Sequence, residues 1–474
     1  MSKLFWLVLA STSLVATSAS ADVTVWKSEK EGGWEVFTNG RVGTFFSWAR
    51  GEGLPQGTTY DDSVRPYKAL HKVKLDPCCG VGVPMEDTQK YTIFYPPDTA
   101  TPPDMLGGTP TPKEISHINH LRFRSGTMGN VLGIGVRRNL DPTTKVTAYL
   151  SIVSVVDSQA QRKFFPIAPN AREGYFKIEG QWGTLLAGRA ATLFNRGSYE
   201  ADLLYLHGYG VGFPADLLSN NQLPTFGQVG FGVLPNGYAA GLVYSTPSLS
   251  GIQLNVGVYD PSAFTGGSSK ITRTKAPRPE FELTADEPLG TMGKVHLYLN
   301  GTRQTNYMAG TVDDISETAQ GYGFGGRIEM GPVRLAAGGH RGTGIGFTYF
   351  GQVDSSVMND NNQLRDTYGE YVIGQLALFG KLDVSAGWGQ SVAKVINDDL
   401  APDSSMNAYV NPATGQPDPA VSWIKSQTAI SAAVVYHPAD WLHFDVDFMS
   451  ATFKWNLGEE QKINFYNAGT TLTW

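Results

Sequence analysis

The chain ends Asn467-Ala468-Gly469-Thr470-Thr471-Leu472-Thr473-Trp474, and the alternation in this stretch decides the fold. Successive side chains on a strand point to opposite faces, so Trp474, Leu472, Thr470, Ala468 and Tyr466 share one face while Thr473, Thr471, Gly469 and Asn467 share the other. One face suits lipid and the other suits water. The same two-sided text recurs upstream. Ile252, Leu254, Val256 and Val258 alternate with Gln253, Asn255 and Gly257, and Leu442, Phe444, Val446 and Phe448 alternate with His443, Asp445 and Asp447. The charged residues fall in the inward, watery phase.

The terminal pattern polar-x-Gly-x-x-apolar-x-aromatic is filled by Asn467, Gly469, Leu472 and Trp474. It resembles the signal by which bacterial outer-membrane β-barrel proteins are recognised for insertion, and these four residues are the candidate assembly signal. The opposite end agrees. Lys3, the apolar run Leu4 to Ala10 and the small-x-small site Ala19-Ser20-Ala21 predict a secretory signal peptide over residues 1–21, with the mature chain, 22–474, starting at Asp22. The apolar run is too short to be a spanning helix.

Composition narrows the class. The chain of 474 residues carries 55 Gly, 23 Phe, 21 Tyr and 10 Trp. Its mean hydropathy is -0.19, and it has no window of about 18 consecutive apolar residues from which a spanning helix could form. Strands that alternate lipid-facing and lumen-facing residues average to a polar composition, so a barrel can be integral to a membrane without looking hydrophobic. A formal net charge of -6 argues against a nucleic-acid partner. The two cysteines, Cys78 and Cys79, are adjacent, which excludes a disulfide framework; neighbours rarely reach disulfide geometry with each other, and their redox state stays open.

Alternating segments separated by turn chemistry begin at Trp34, where Trp34, Val36, Val42, Phe46 and Trp48 oppose Glu35, Asn39, Arg41 and Ser47. The stretch 51–116, rich in Pro, Gly, Thr and Asp, reads as a long first outer loop. Seven hairpins follow. They pair Ile118–Arg138 with Lys145–Val155, Gly174–Trp182 with Thr184–Ala190 across Gly183, and Tyr238–Thr246 with Ile252–Tyr259. Glu280–Ala285 pairs with Lys294–Arg303, Gly321–Met330 with Val333–His340, Tyr368–Leu378 with Lys381–Gln390, and Thr428–His437 with Leu442–Thr452. With an opening strand and the closing strand Ile463–Trp474, the count is about sixteen, even as bacterial barrels require. Turns inside hairpins are short and the stretches between hairpins are long, which places the former in the periplasm and the latter outside.

Two hairpins carry family-specific text. Gly174-Tyr175-Phe176-Lys177-Ile178-Glu179-Gly180-Gln181-Trp182-Gly183-Thr184-Leu185-Leu186-Ala187-Gly188-Arg189 resembles the "GLxGxFGTxxxGR" hairpin of Gram-negative general porins. Val243-Tyr244-Ser245-Thr246-Pro247-Ser248-Leu249-Ser250-Gly251-Ile252 resembles that family's "YxSPxFxG", with Thr246 where Ser is usual and Leu249 where Phe is usual. The first outer loop is longer than the family norm. The resemblance implies an all-β, transmembrane antiparallel barrel with an inward-folded third loop, here 190–237, narrowing a water-filled pore. It further implies a homotrimer in outer-membrane lipid and lipopolysaccharide that passes small hydrophilic solutes and ions without a cofactor. On that pattern Glu200, Asp202 and Asp216 of the loop would face basic wall residues. The candidates are Arg41, Arg122, Arg124, Lys177 and Arg189, with Arg122 and Arg124 favoured because Leu121 and Phe123 take the other face. Opposed fixed charges across a narrow aqueous gap order water and favour polar solutes.

A substrate-selective channel for a sugar or an anionic nutrient is the alternative, with Tyr199, Tyr205, Tyr209 and Phe213 as a stacking track. A barrel enzyme or a secreted adhesin fits less well. No nucleophile elbow, P-loop or zinc motif occurs, and Asp445 with Asp447 reads as an ordinary pair of lumen carboxylates. His117 and His120 have poor metal spacing for a strand, and the glycines of 321–326 read as small strand residues.

Overall fold

The structure, a computed structural model, describes residues 22–29, 32–52, 74–75, 82–83, 117–124, 129–154, 170–204, 230–232, 234, 237–261, 271–308, 316–346, 363–396, 424–455 and 460–474. At 74–75, 82–83, 170, 271–273, 308, 455 and in 117–124 apart from Asn119, Leu121 and Phe123, it describes the backbone alone. Residues 1–21, Cys78, Cys79 and Asp216 lie outside the described residues, as does nearly all of 53–116.

The strand segments are β1 (Val23–Lys27), β2 (Glu35–Glu52), β3 (Lys74–Leu75), β4 (Gly82–Val83), β5 (His117–Arg124), β6 (Asn130–Asn139), β7 (Lys145–Ser154), β8 (Asn170–Gly180) and β9 (Gly183–Ala191). The helix α1 (Leu193–Ala201) precedes β10 (Tyr238–Ser245), β11 (Ile252–Tyr259), β12 (Ile271–Thr274), β13 (Arg278–Pro288), β14 (Gly293–Met308), β15 (Ser316–Met330) and β16 (Val333–Thr343). The set ends with β17 (Asp366–Leu378), β18 (Leu382–Ala393), β19 (Ile424–Ala439), β20 (Leu442–Trp455) and β21 (Glu460–Thr473).

Each barrel strand pairs antiparallel with its neighbours in sequence, and β21 returns to β2, with Thr473 opposite Arg41 and Ile463 opposite Gly51. The sheet is closed. β5 and β6 both lie along the same side of β2 and form one strand position; β12 and β13 do the same along β14. On its other side β2 pairs first with β1 and then with β21, so β1 continues the line of the last strand. With the small β3–β4 pair standing apart, the segments make a closed barrel of sixteen antiparallel strands. Closure removes the exposed edges that an open sheet would offer to other chains.

The two faces separate as the alternation requires. Val42, Leu121, Phe123, Ile252, Val258, Ile430, Val446 and Leu472 are exposed on the outside, while Asn39, Arg41, Ser47, Asn300, Asp445, Asp447 and Asn467 are buried within. Tight turns and both described chain ends lie at one end of the barrel: Gly40 and Trp474 exchange backbone bonds of 2.9 and 3.0 Å near the start of β2. The β6–β7 turn is held locally, since the Asp141 carboxylate accepts from Thr143 N (2.8 Å) and Thr143 Oγ1 (2.7 Å). These bonds lower the Asp141 pKa, the hydroxyl bond first. The β8–β9 turn falls at Gln181-Trp182, with Gly183 already in β9, one residue earlier than its sequence suggests.

The inward faces of β15 and β16 carry mainly small residues: Ala319, Gly321, Gly323 and Gly325 on one strand, Ala336 and Gly338 on the other. Small side chains leave room against that wall, and α1 packs there, against β13, β14, β15 and β16 inside the barrel. Gly321, Gly323 and Gly325 therefore serve packing: they form the bed of the inward segment.

Candidate functional site

The chain between β9 and β10 turns into the lumen. Thr192 N donates to Gly237 O at 2.9 Å, closing the neck of the segment, and α1 follows at once. Thr192 makes no side-chain cap, so the first helical N–H groups need partners elsewhere. The wall supplies them. Leu193 N donates to Tyr259 Oη (3.2 Å) and Phe194 N to Glu280 Oε2 (2.8 Å), a carboxylate placed where the helix dipole is positive.

One turn on, Arg196 donates through Nε to Glu282 Oε2 at 2.8 Å and through its terminal nitrogen to the same oxygen. Glu280 and Glu282 stand two apart on the inward face of β13, both buried, with Arg278 beside Glu280 at 3.0 Å and Thr302 donating to Glu280 at 3.1 Å. Asn255 adds a bond to Glu282 at 3.3 Å. Glu200, on the next helical turn, lies 4.0 Å from Arg196 and 3.6 Å from His296 Nε2, and its carbonyl accepts from Arg327 at 2.9 Å. Removal from water raises the Glu200 carboxyl to about 7, although Arg196 and His296 pull the other way and Glu282 adds to the rise.

The return arm crosses to the far side of the bed. Phe231 meets Tyr371 edge-on with centroids 4.8 Å apart, and Gly230 O lies 3.1 Å from His340 Nδ1. Gly230 has φ +120°, and a Cβ there would sit 2.3 Å from Glu370 O, so only glycine fits. Leu234 joins Phe194, Ala319, Ile345 and Leu364 in a small apolar cluster.

The sequence-derived candidates scatter. Arg41 is buried on the inner wall near the turn end, with Nε 3.1 Å from Gly129 O. Lys177 is buried and lies 3.0 Å from Glu179. Arg122 and Arg124 stand opposite Ser47 and Phe45 in the backbone register, and their side chains lie outside the described residues. Asp202 is buried but turns onto its own chain, accepting from Leu204 N at 2.8 Å.

Arg189 corrects its assignment to the inner wall. It pairs in register with Ala240, in the exposed phase shared by Leu242, and its Nε donates to Arg172 O at 3.1 Å. The register with Ala240 fixes that outward placement. Tyr199 is likewise packed into the cluster with Leu204, Phe231 and Tyr371, so it offers no stacking face, and Tyr205, Tyr209 and Phe213 lie outside the described residues. The polarity at the helix also inverts the expected one: here the loop brings the arginine and the wall brings the acids. Glu280, Glu282, His296 and Arg327 were missed, although Arg278-Pro279-Glu280-Phe281-Glu282 shows the required alternation.

Among the assembly-signal residues, Asn467 accepts from Ser47 Oγ and donates to Asp447 Oδ1 at 2.6 Å. A Cβ at Gly469 would fall 2.0 Å from the Phe45 ring. Leu472 is exposed on the outer face, and the Trp474 ring covers Gly40.

A closed barrel with an apolar exterior, a polar interior and charges of both signs fixed within it defines a transmembrane channel for hydrated solutes. The chain belongs to the Gram-negative porin family, whose model matches residues 119–473. It is an outer-membrane channel through which small solutes diffuse, and the family and fold are those of non-enzymatic channels. Among solved structures, the fold is similar to the outer-membrane channel DcaP of Acinetobacter baumannii, at 12% identity and TM-score 0.59, covering 95% of this chain and 100% of that one. The anion-selective porin from Comamonas acidovorans is also similar, at 11% identity and TM-score 0.52, covering 93% and 100%. Comparison with curated protein sequences returns no match.

Proposed function

We propose that segment 190–237 is the constriction of this porin, that charges around it set ion preference, and that the channel works as a homotrimer after removal of residues 1–21. The clamp of α1 on β13 carries this reading. Glu280 takes the helix N-terminus and Glu282 takes Arg196, so the segment is anchored inside the lumen. Flux through such a pore is passive, following the solute gradient. Arg41 and Lys177 on the wall and Glu200 on the helix supply fixed charges of both signs. The trimer is supported by the family, with outer-membrane lipid and lipopolysaccharide around its perimeter.

A substrate-selective channel is favoured by one observation. Tyr149 and Tyr175 lie on the inner wall with ring centroids 5.5 Å apart and planes inclined 40°, beside Lys177, a surface on which a sugar or an anionic ring can stack. Single-channel recording in planar bilayers separates the two: ohmic flux without solute block supports general diffusion, and saturable block by one solute class supports selectivity.

A further inference from the structure

Behind the inward segment, α1, the return arm and the wall line a cavity of about 10 Å3, bordered among others by Ser198, Phe231, Asn300, His340 and Tyr371. Asn300 is fully buried there, yet among the described residues neither its Nδ2 nor its Oδ1 has a hydrogen-bond partner. His340 is 3% exposed, and its Nε2 also lacks one among those residues. The other imidazole nitrogen, Nδ1, lies 3.1 Å from Gly230 O. A carbonyl only accepts, so Nδ1 carries the proton and Nε2 is a bare acceptor.

The cavity therefore asks its occupant for two donors, one each for His340 Nε2 and Asn300 Oδ1, and one lone pair for the Asn300 amide N–H. A cation would satisfy the two acceptors and oppose the N–H; an anion would do the reverse. Water satisfies all three. A single water needs about 10–15 Å3 and two to four polar partners, which this cavity offers.

We propose that the cavity binds one ordered water, and that this water ties the return arm, through His340 and its Gly230 contact, to Asn300 on β14. The bridge is polar and made across a molecule free to exchange, unlike the direct ion pair that anchors α1. It marks the return arm as the part of the segment whose seating depends on solvent, whatever solute the channel passes.

The test uses the full-length protein from outer membranes. A crystal structure that resolves solvent should place one water within hydrogen-bonding reach of His340 Nε2 and both polar atoms of Asn300. An empty cavity, or an Asn300 amide turned onto a protein partner, overturns the proposal. In Asn300→Leu the water should be lost and single-channel traces should show about tenfold more frequent transitions between conductance levels, equivalent to ~1.4 kcal/mol. His340→Gln, whose amide can both donate to Gly230 O and accept from the water, should keep the water and the quiet trace. A quiet Asn300→Leu channel whose cavity is dry would show that the water holds nothing. Should Asn300→Leu fail to fold, the His340→Gln structure decides, with the water kept in support or absent in refutation.

Discussion

At the residue scale the inner wall is organised by where an unpaired charge can survive. Arg196 and Glu282 neutralise each other inside the barrel, and removing one partner of a buried pair costs more than the pair contributes, because the other charge is stranded. Glu200 is less tightly held, and burial beside Glu282 raises its carboxyl to about 7. Lowering the pH through that range removes a negative charge from the lumen, so the zero-current potential in a salt gradient should move toward anion preference. Glu200→Gln should shrink the pH-dependent step, leaving only the part carried by His296 3.6 Å away. Arg122 and Arg124 are expected to act in the opposite sense. An arginine on the lipid face near mid-bilayer costs about 2–4 kcal/mol, and their neighbours Leu121 and Phe123 already occupy that face. Changing both to Gln should shift the zero-current potential toward cation preference. The shift should shrink as salt rises, since screening confines such charges to about 10 Å at 0.1 M. A folded double variant with unaltered selectivity would transfer the role to Arg41 or Lys177.

At the scale of elements, the inward segment is held by two unlike contacts. The helix end is fixed by carboxylates on β13, whereas the return arm rests on ring packing and the Gly230–His340 contact. Both lie close to the wall through glycines of their own: Gly197 of α1 sits against the Tyr298 ring, Gly230 against Glu370 and Gly232 against His340. The segment is also far longer than the usual hairpin connection of about two to five residues, so its removal need not disturb the strands it joins. Replacing residues 203–234 by a short Gly/Ser linker should raise single-channel conductance and the size cutoff for sugars in liposome swelling, with the barrel still heat-modifiable. Unchanged conductance in that folded variant would mean that the segment does not limit flow.

For the whole molecule, closure is the decisive event, and the last strand performs it. β21 bonds β20 on one side and β2 on the other, Trp474 exchanges two backbone bonds with Gly40, and Asn467 links Ser47 to Asp447 across the seam. An aromatic ring at the outer-face terminus also suits the membrane interface. Deleting Trp474 should therefore reduce the yield of folded, heat-modifiable protein in the outer membrane while leaving the conductance of the channels that do insert unchanged. Normal yield from the truncated chain would deny the terminal residue a role in assembly.

What the sequence determined alone is the wall. The alternation of Leu442-His443-Phe444-Asp445 or of Leu472-Thr473-Trp474 is a local property with period two, and short turns against long loops give strand order and sidedness without any distant contact. The strand count was legible for that reason, whereas the inward turn of the third loop followed only from the resemblance of two hairpins to those of general porins. What only the tertiary structure decided is the pairing inside the lumen. Arg196 finds Glu282 across 86 residues, and His340 finds Gly230 across 110, because barrel register brings those strands under the loop. Arg189 belongs to a hairpin that the sequence picks out, yet its face is fixed only by its alignment with Ala240 on the next strand. Composition and spacing specify which residues stand on a strand; which charges meet across water depends on closure, a property of all the strands together.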